Sequence, residues 1–194
     1  MKMRRILILP CCVLSAFVIL YLVGCWNPFA PKIAKPGPGE ELPDPTSPDK
    51  LFEILDYAMN HGDIEKYEEI LDDNYWWTDP TLVDTLGTAW GKTEDVRIVG
   101  RIFENFVSFT FDYDRNQHWI EYGSNMNPPP GSSVSDEHPN ENWEVFMGPV
   151  TYLLLDESGD GFFIQEDFEI KLRQIDYKGR KEWRIIRWID HPRI

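Results

Sequence analysis

The run Asp156-Glu157-Ser158-Gly159-Asp160-Gly161, with Asp167 twelfth, comes nearest to a defined chemistry in this chain. Oxygen-bearing residues at positions 1, 3 and 5, glycine at 6 and an acid at 12 are the layout of a calcium loop held between two helices. The flanks read differently, because Val150 to Leu155 and Phe168 to Leu172 have strand character and Gly-Asp-Gly is ordinary hairpin chemistry. A hairpin without metal is therefore expected. The histidines His61, His118, His138 and His191 fall at a helix end, in a strand, in an irregular segment and in the tail, none at metal-ligand spacing from another. No metal and no cofactor are expected. There is no Gly-rich phosphate loop, nucleophile elbow or His-Glu metalloprotease motif, so no catalytic residue is assigned. Should a pocket exist, Asp79, His118 and Glu144 are the groups that could act as a base; with Tyr75, Trp77 and Trp119 they form the candidate ligand-binding set.

Seven of the eight tryptophans stand at 76, 77, 90, 119, 143, 183 and 188. In a strand, Trp76 and Trp77 must point to opposite faces, one toward a core or pocket and one away. An aromatic pocket and ordinary core or dimer-face packing both remain open.

The first 25 residues carry a cellular address. Lys2, Arg4 and Arg5 precede an apolar run from Ile6 to Val23, which ends in Leu22-Val23-Gly24-Cys25. That tetrapeptide resembles the bacterial lipobox, whose cysteine is lipidated and becomes the mature N-terminus. The alternative is an uncleaved membrane anchor. The lipoprotein reading fits better, because Cys25 stands where the apolar run stops and a Pro-rich stretch begins. Residues 1–24 are thus expected to be a signal peptide and residues 25–47 a linker. Cys11, Cys12 and Cys25 are the only cysteines, so a chain cleaved before Cys25 keeps none for a disulfide. Trp26 follows the cysteine where an inner-membrane retention signal resembling those of lipoproteins would have aspartate. The expected place is the cell envelope, on the outer membrane, facing the periplasm or the surface.

Cleavage would leave 16 basic against 33 acidic residues, a net charge of −17. Nucleic acid is excluded as a partner by the lack of a basic patch. Anionic headgroups should repel the domain, so the membrane contact expected is the lipid on Cys25.

The elements that must position any site begin at Ser47. Leu51, Ile54, Leu55 and Ala58 lie on one helical face, with Ser47 as cap and Pro48 at the first helical position. Gly62 ends that helix and Asp63 caps a second, with Ile64, Tyr67, Ile70 and Leu71. Asn74 to Thr78 reads as an aromatic strand and Thr81 to Gly91 as a connector. Thr93 is expected to cap a third helix carrying Val96, Val99, Ile102, Phe103 and Phe106. Alternation then marks strands from Val107 to Tyr113, Gln117 to Tyr122, Trp143 to Met147, Val150 to Leu155, Phe168 to Arg173 and Trp183 to Ile189, with an interruption or bulge at Gly148-Pro149. Residues 123–142, rich in proline, serine and asparagine, read as a flexible insertion, either a lid or a disordered excursion. The fold class expected for residues 48–194 is α+β: three N-terminal helices packed on the concave face of a curved, mainly antiparallel sheet.

This element order resembles the nuclear transport factor two-like, or cystatin-like, superfamily. Gly62 to Tyr67, Ile70 to Tyr75 and Trp183 to Asp190 are similar to phrases of its bacterial branches, and with the lipobox they are similar to envelope lipoproteins carrying this domain. The resemblance implies a cone between helices and sheet. Superfamily members include isomerases, dehydratases, small-molecule binders and partners in assembly, and fold alone does not choose among these. The leading expectation is a non-catalytic domain that binds an apolar small molecule or an envelope protein. The alternatives are a pocket enzyme of the isomerase or dehydratase type, and a structural assembly module, with a homodimer through the outer sheet face.

Overall fold

The computed structural model describes residues 42–80 and 89–192. The expected signal peptide, the cysteines, most of the expected linker and residues 81–88 of the expected connector lie outside the described residues.

Helix α1 (Pro48–His61) starts where Ser47 accepts a hydrogen bond from the Lys50 amide at 3.4 Å and stops at Gly62, whose left-handed φ of 66° suits a residue without Cβ. Asp63 caps α2 (Ile64–Ile70), accepting from the Lys66 amide at 3.0 Å. Leu51, Phe52, Leu55 and Ala58 of α1 are fully buried. Each large side chain among them contributes about 1.5–3 kcal/mol of burial, so packing rather than helix propensity holds the helix in place.

Strand β1 (Leu71–Thr78) follows α2 without a loop, starting earlier than its aromatic residues alone suggested. Strand β2 (Ala89–Gly91) pairs with it antiparallel, placing Trp77 opposite Trp90. Helix α3 (Lys92–Asn105) begins two residues earlier than Thr93 would place it: Gly91 is the cap residue and no side chain caps the end. Glu94 and Asp95 in the first turn supply the dipole complement.

The remaining strands are β3 (Ser108–Tyr113), β4 (Gln117–Gly123), β5 (Ser133–Ser135), β6 (Asn142–Leu155), β7 (Gly161–Tyr177) and β8 (Arg180–Pro192). The eight-stranded sheet runs β2-β1-β8-β7-β6-β4-β5, with β3 also pairing β6. It is mainly antiparallel; β1 with β8 and β4 with β5 are parallel. The three helices cover one face, and their apolar sides meet Phe111, Phe146, Val150, Phe168, Ile170, Leu172, Ile185 and Trp188 in a single core.

Two local features depart from the sequence reading. Strand β6 passes through Gly148-Pro149 without interruption, Gly148 pairing Phe168 and Pro149 pairing Asp167. Glycine is needed there because a Cβ would lie 1.9 Å from the Asp114 carbonyl oxygen, where the β3–β4 turn crosses the strand. Residues 124–141 fold back on the sheet. Strand β5 pairs β4, Gly123 N–H donates to the Glu141 carbonyl at 2.9 Å, and Asn125 N–H donates to the Pro139 carbonyl at 2.8 Å. The anchor is His138, buried and stacked on Trp143 at 3.9 Å. Its ring nitrogens contact the Glu121 carboxylate at 2.8 Å and the Glu141 carbonyl at 2.9 Å, and Lys171 Nζ donates to both Glu121 oxygens at 3.1 and 3.0 Å. Val145, beside Lys171 on the sheet face away from the helices, is fully buried, so part of the outer face is covered by the chain itself.

The Asp156–Asp160 turn joins β6 to β7, with Asp156 accepting from the amides of Ser158 and Asp160 at 2.8 and 3.1 Å. Strands, not helices, flank it.

Candidate functional site

A cavity of about 220 Å³ opens between α3 and the concave face of the sheet. Its volume exceeds the ~150 Å³ that accommodates benzene and falls below the ~300 Å³ where drug-sized ligands begin, so it fits one or two rings. The wall is aromatic and aliphatic, with Trp77, Trp90, Phe103, Phe109, Tyr152 and Trp188 among its residues. Three carboxyl groups interrupt this wall: Asp95, Glu166 and Asp190.

Two of them bracket a stacked tryptophan pair. The β1–β2 register brings Trp77 and Trp90 face to face, with ring centroids 3.7 Å apart and planes 14° from parallel. The two indoles then donate in different directions. Trp77 Nε1 reaches Asp190 Oδ2 at 2.8 Å, while Trp90 Nε1 reaches Asp95 Oδ1 at 2.8 Å. Each acid takes a second donor at its other oxygen: Trp188 Nε1 donates to Asp190 Oδ1 at 2.7 Å and Tyr67 Oη to Asp95 Oδ2 at 2.7 Å. All four donors are neutral.

The electrostatics follow from that composition. Burial pushes Asp190 up to about 6, against the lowering effect of the two indole hydrogen bonds. Burial likewise raises Asp95, although Tyr67 and Trp90 oppose it. Glu166 projects from the same face of β7 as Ile164 and Phe168 and has no hydrogen-bond partner among the described residues. Burial first, then the Asp190 and Asp79 carboxylates, push it up to about 7. A carboxyl group poised at neutral pH in an apolar cavity can accept a proton from a ligand or donate one to it.

Of the residues singled out from the sequence, Trp77 lies on this wall. Tyr75 is buried in the core, outside the lining. Asp79, just past β1, acts on the cavity through its charge on Glu166 and Asp190. His118 and Glu144 hydrogen-bond each other across β4 and β6, and the His118 ring stacks on Phe146 at 4.4 Å. They and Trp119 stand away from the cavity. The structure therefore does not assemble the six as one site. Asp95, Glu166, Asp190, Tyr67 and Trp90 were missed, although a signal was present. Glu166 continues the inward alternation of Phe168-Ile170-Leu172, Asp190 lies two residues past the inward Trp188, and Asp95 sits one turn before Val99 on an apolar helix face.

Neither a family profile nor a characterised protein matches this sequence. Solved structures match by shape. A conserved protein from Planctomyces limnophilus aligns with TM-score 0.52 at 11% identity, over 75% of this chain and 94% of its own. A protein from Novosphingobium aromaticivorans provisionally named a scytalone dehydratase aligns with TM-score 0.51 at 9% identity, over 75% and 81% of the two chains. A second protein of that organism, provisionally named an aromatic ring hydroxylase, gives 0.51 at 10%, over 75% and 86%. At such identities the likeness shows the fold and carries no activity with it. The described domain has the nuclear transport factor two-like, or cystatin-like, α+β fold, with helices on the concave face of a mainly antiparallel sheet.

Proposed function

We propose that this protein is a lipid-anchored bacterial envelope protein whose cone binds a small, uncharged ring compound. The observation that carries the binding reading is the cavity itself: aromatic walls around space for one or two rings, with Glu166 as the polar group left free to hydrogen-bond a ligand. Three indoles and a phenol already satisfy Asp190 and Asp95, so these acids hold the walls in place while Glu166 faces the guest. Attachment rests on Leu22-Val23-Gly24-Cys25 at the end of the apolar run, with Cys25 as the lipidated residue and the outer membrane as the place.

A second reading, proton transfer on the bound molecule, is favoured by one feature. Glu166 is held up to about 7, where it exchanges a proton readily, on the wall of an aromatic cavity. Titration of tryptophan fluorescence with phenol, indole and naphthol tests the first reading. Wild type is expected to bind with affinity that changes as Glu166 ionises, and Trp77→Ala to lose at least tenfold. No fluorescence response to any of the three overturns it. Solvent deuterium entering a ring ketone at a rate abolished by Glu166→Gln, with ligand binding kept, moves the assignment from binding to catalysis. Mass spectrometry of the membrane fraction tests the anchor: a diacylated N-terminal Cys25 is expected, and an intact Met1 contradicts it.

A further inference from the structure

The end of the sheet beside the cavity mouth carries an apolar surface that no described residue covers. Phe162 and Phe163 of β7 are 62% and 64% exposed, and Val107, just after α3, is 66% exposed. Phe106 closes the group from the helix side, meeting Phe162 edge-on at 6.0 Å. Ile164, two residues along β7 on the same face as Phe162, is also exposed and lines the cavity, so the patch is continuous with its rim. Phe163 alternates to the opposite face of the same strand end, so apolar rings stand on both sides of the β6–β7 hairpin tip, an end that would meet a contact surface tip-on.

We infer that this patch rests on the lipid surface to which the chain is tethered, with Phe162 and Phe163 inserted at the headgroup level and the cavity mouth facing the bilayer. The inference relies on the proposed lipid at Cys25.

Tether length and entry point both support this orientation. The chain joins the domain at the opposite end of the sheet, where Trp183 N–H donates to the Pro45 carbonyl at 2.8 Å and Arg180 pairs with Asp44. Along β7, Phe163 and Tyr177 are separated by about 46 Å at ~3.3 Å per residue. The seventeen residue steps from Cys25 to Leu42 span at most about 60 Å at ~3.5 Å each. The tether is therefore long enough for the far end of the domain to touch the membrane that holds its lipid, with little to spare. Charge selects the kind of surface. The turn next to Phe162 carries Asp156, Glu157 and Asp160, while Arg101 on the adjacent face of α3 is in no ion pair among the described residues. An acidic turn beside an aromatic pair is repelled by anionic lipid and tolerated by zwitterionic lipid, whose phosphate Arg101 can meet. In this orientation an apolar ligand passes from bilayer to cavity without crossing water.

The test uses the full lipidated chain in phosphatidylethanolamine–phosphatidylcholine vesicles. The only cysteine expected in the mature protein is blocked by lipid, so Phe163→Cys and, at the other end, Lys178→Cys each take one environment-sensitive fluorophore. Flotation reports the anchor. Quenching by brominated lipid reports docking. The expected result is flotation of both variants, quenching at 163 at least threefold stronger than at 178, and loss of that difference when Phe162→Ser is added or anionic lipid replaces half of the vesicle. Failure to float overturns the anchor and the docking together. Flotation with equal quenching at both sites overturns the docking alone, as does dimerisation in sedimentation that shields position 163 without lipid.

Discussion

Two regions of the domain bury carboxylates and treat them in opposite ways. Under the folded-back segment, Glu121 is buried beside two basic side chains. Burial by itself would raise it, but hydrogen bonds from His138 and Lys171 outweigh that effect and hold it below the usual carboxylate range. In the cone, Asp190 and Asp95 are also buried and Glu166 is half-buried, but their partners are indoles, a phenol or nothing, and all three are pushed up. The difference lies in the charge of the partners. A cation makes a buried acid a permanent ionic clasp; neutral donors leave it able to change protonation near neutral pH. The first arrangement fixes a segment of chain and the second equips a cavity.

Removing the cation from the clasp should have the largest effect. Lys171→Met leaves a buried carboxylate half compensated and is expected to cost about 3–4 kcal/mol in urea unfolding. If it costs less than 1, Glu121 is not held by its ionic partners. Next comes Gly123→Ala, whose Cβ would lie 2.2 Å from the His138 carbonyl oxygen. It is expected to cost about 2–3 kcal/mol through overpacking, with hydrogen-exchange protection lost across residues 124–141 and kept in the core strands.

The cone should reveal itself through pH. The folded Asp190 titrates at about 6 against 3.8 unfolded, and Glu166 at about 7 against 4.5. An acid raised on folding stabilises fully below its unfolded value and loses that contribution as pH rises through the folded one. Unfolding free energy is therefore expected to fall between about pH 4 and 7, by on the order of 3 kcal/mol from Asp190, and Asp190→Asn should flatten that slope. Glu121 has the opposite sign: its stabilisation is present above the unfolded carboxylate value and is lost as pH drops through the lowered folded one. The smallest effect on stability is expected for Glu166→Gln, within about 0.5 kcal/mol at pH 4, where the folded carboxyl and most of the unfolded one are protonated. The same change should remove the pH dependence of ligand affinity between pH 6 and 8.

Much of this comparison was legible in the sequence, and the rest was not for identifiable reasons. Ser47, Gly62 and Asp63 announced the helix ends because capping is local chemistry within a few residues. The strands past Val107 were visible as alternation. The cone acids were harder. Glu166 lies before the stretch where charged and apolar residues alternate cleanly, and the run Phe162-Phe163-Ile164 hides its phase, so the inward face of β7 becomes evident only once β6 fixes the register. Trp77 and Trp90 are separated by a connector, and their stacking is a consequence of pairing between β1 and β2. The folded-back segment has no periodicity at all. Its order comes from one buried histidine meeting Glu121 seventeen residues earlier, and from Lys171 meeting that glutamate from fifty residues away. Composition carries no trace of such a contact.

The central claim is that the cone holds carboxyl groups able to gain and lose a proton near neutral pH because only neutral donors surround them. It is tested most directly by following the side-chain carboxyl ¹³C resonances of Asp190 and Glu166 through a pH titration of the folded protein. The account predicts that the pair titrates in steps near 6 and 7, and that Trp77→Phe, which removes one donor from Asp190, moves its step higher. Both resonances completing their titration below pH 5 would contradict it.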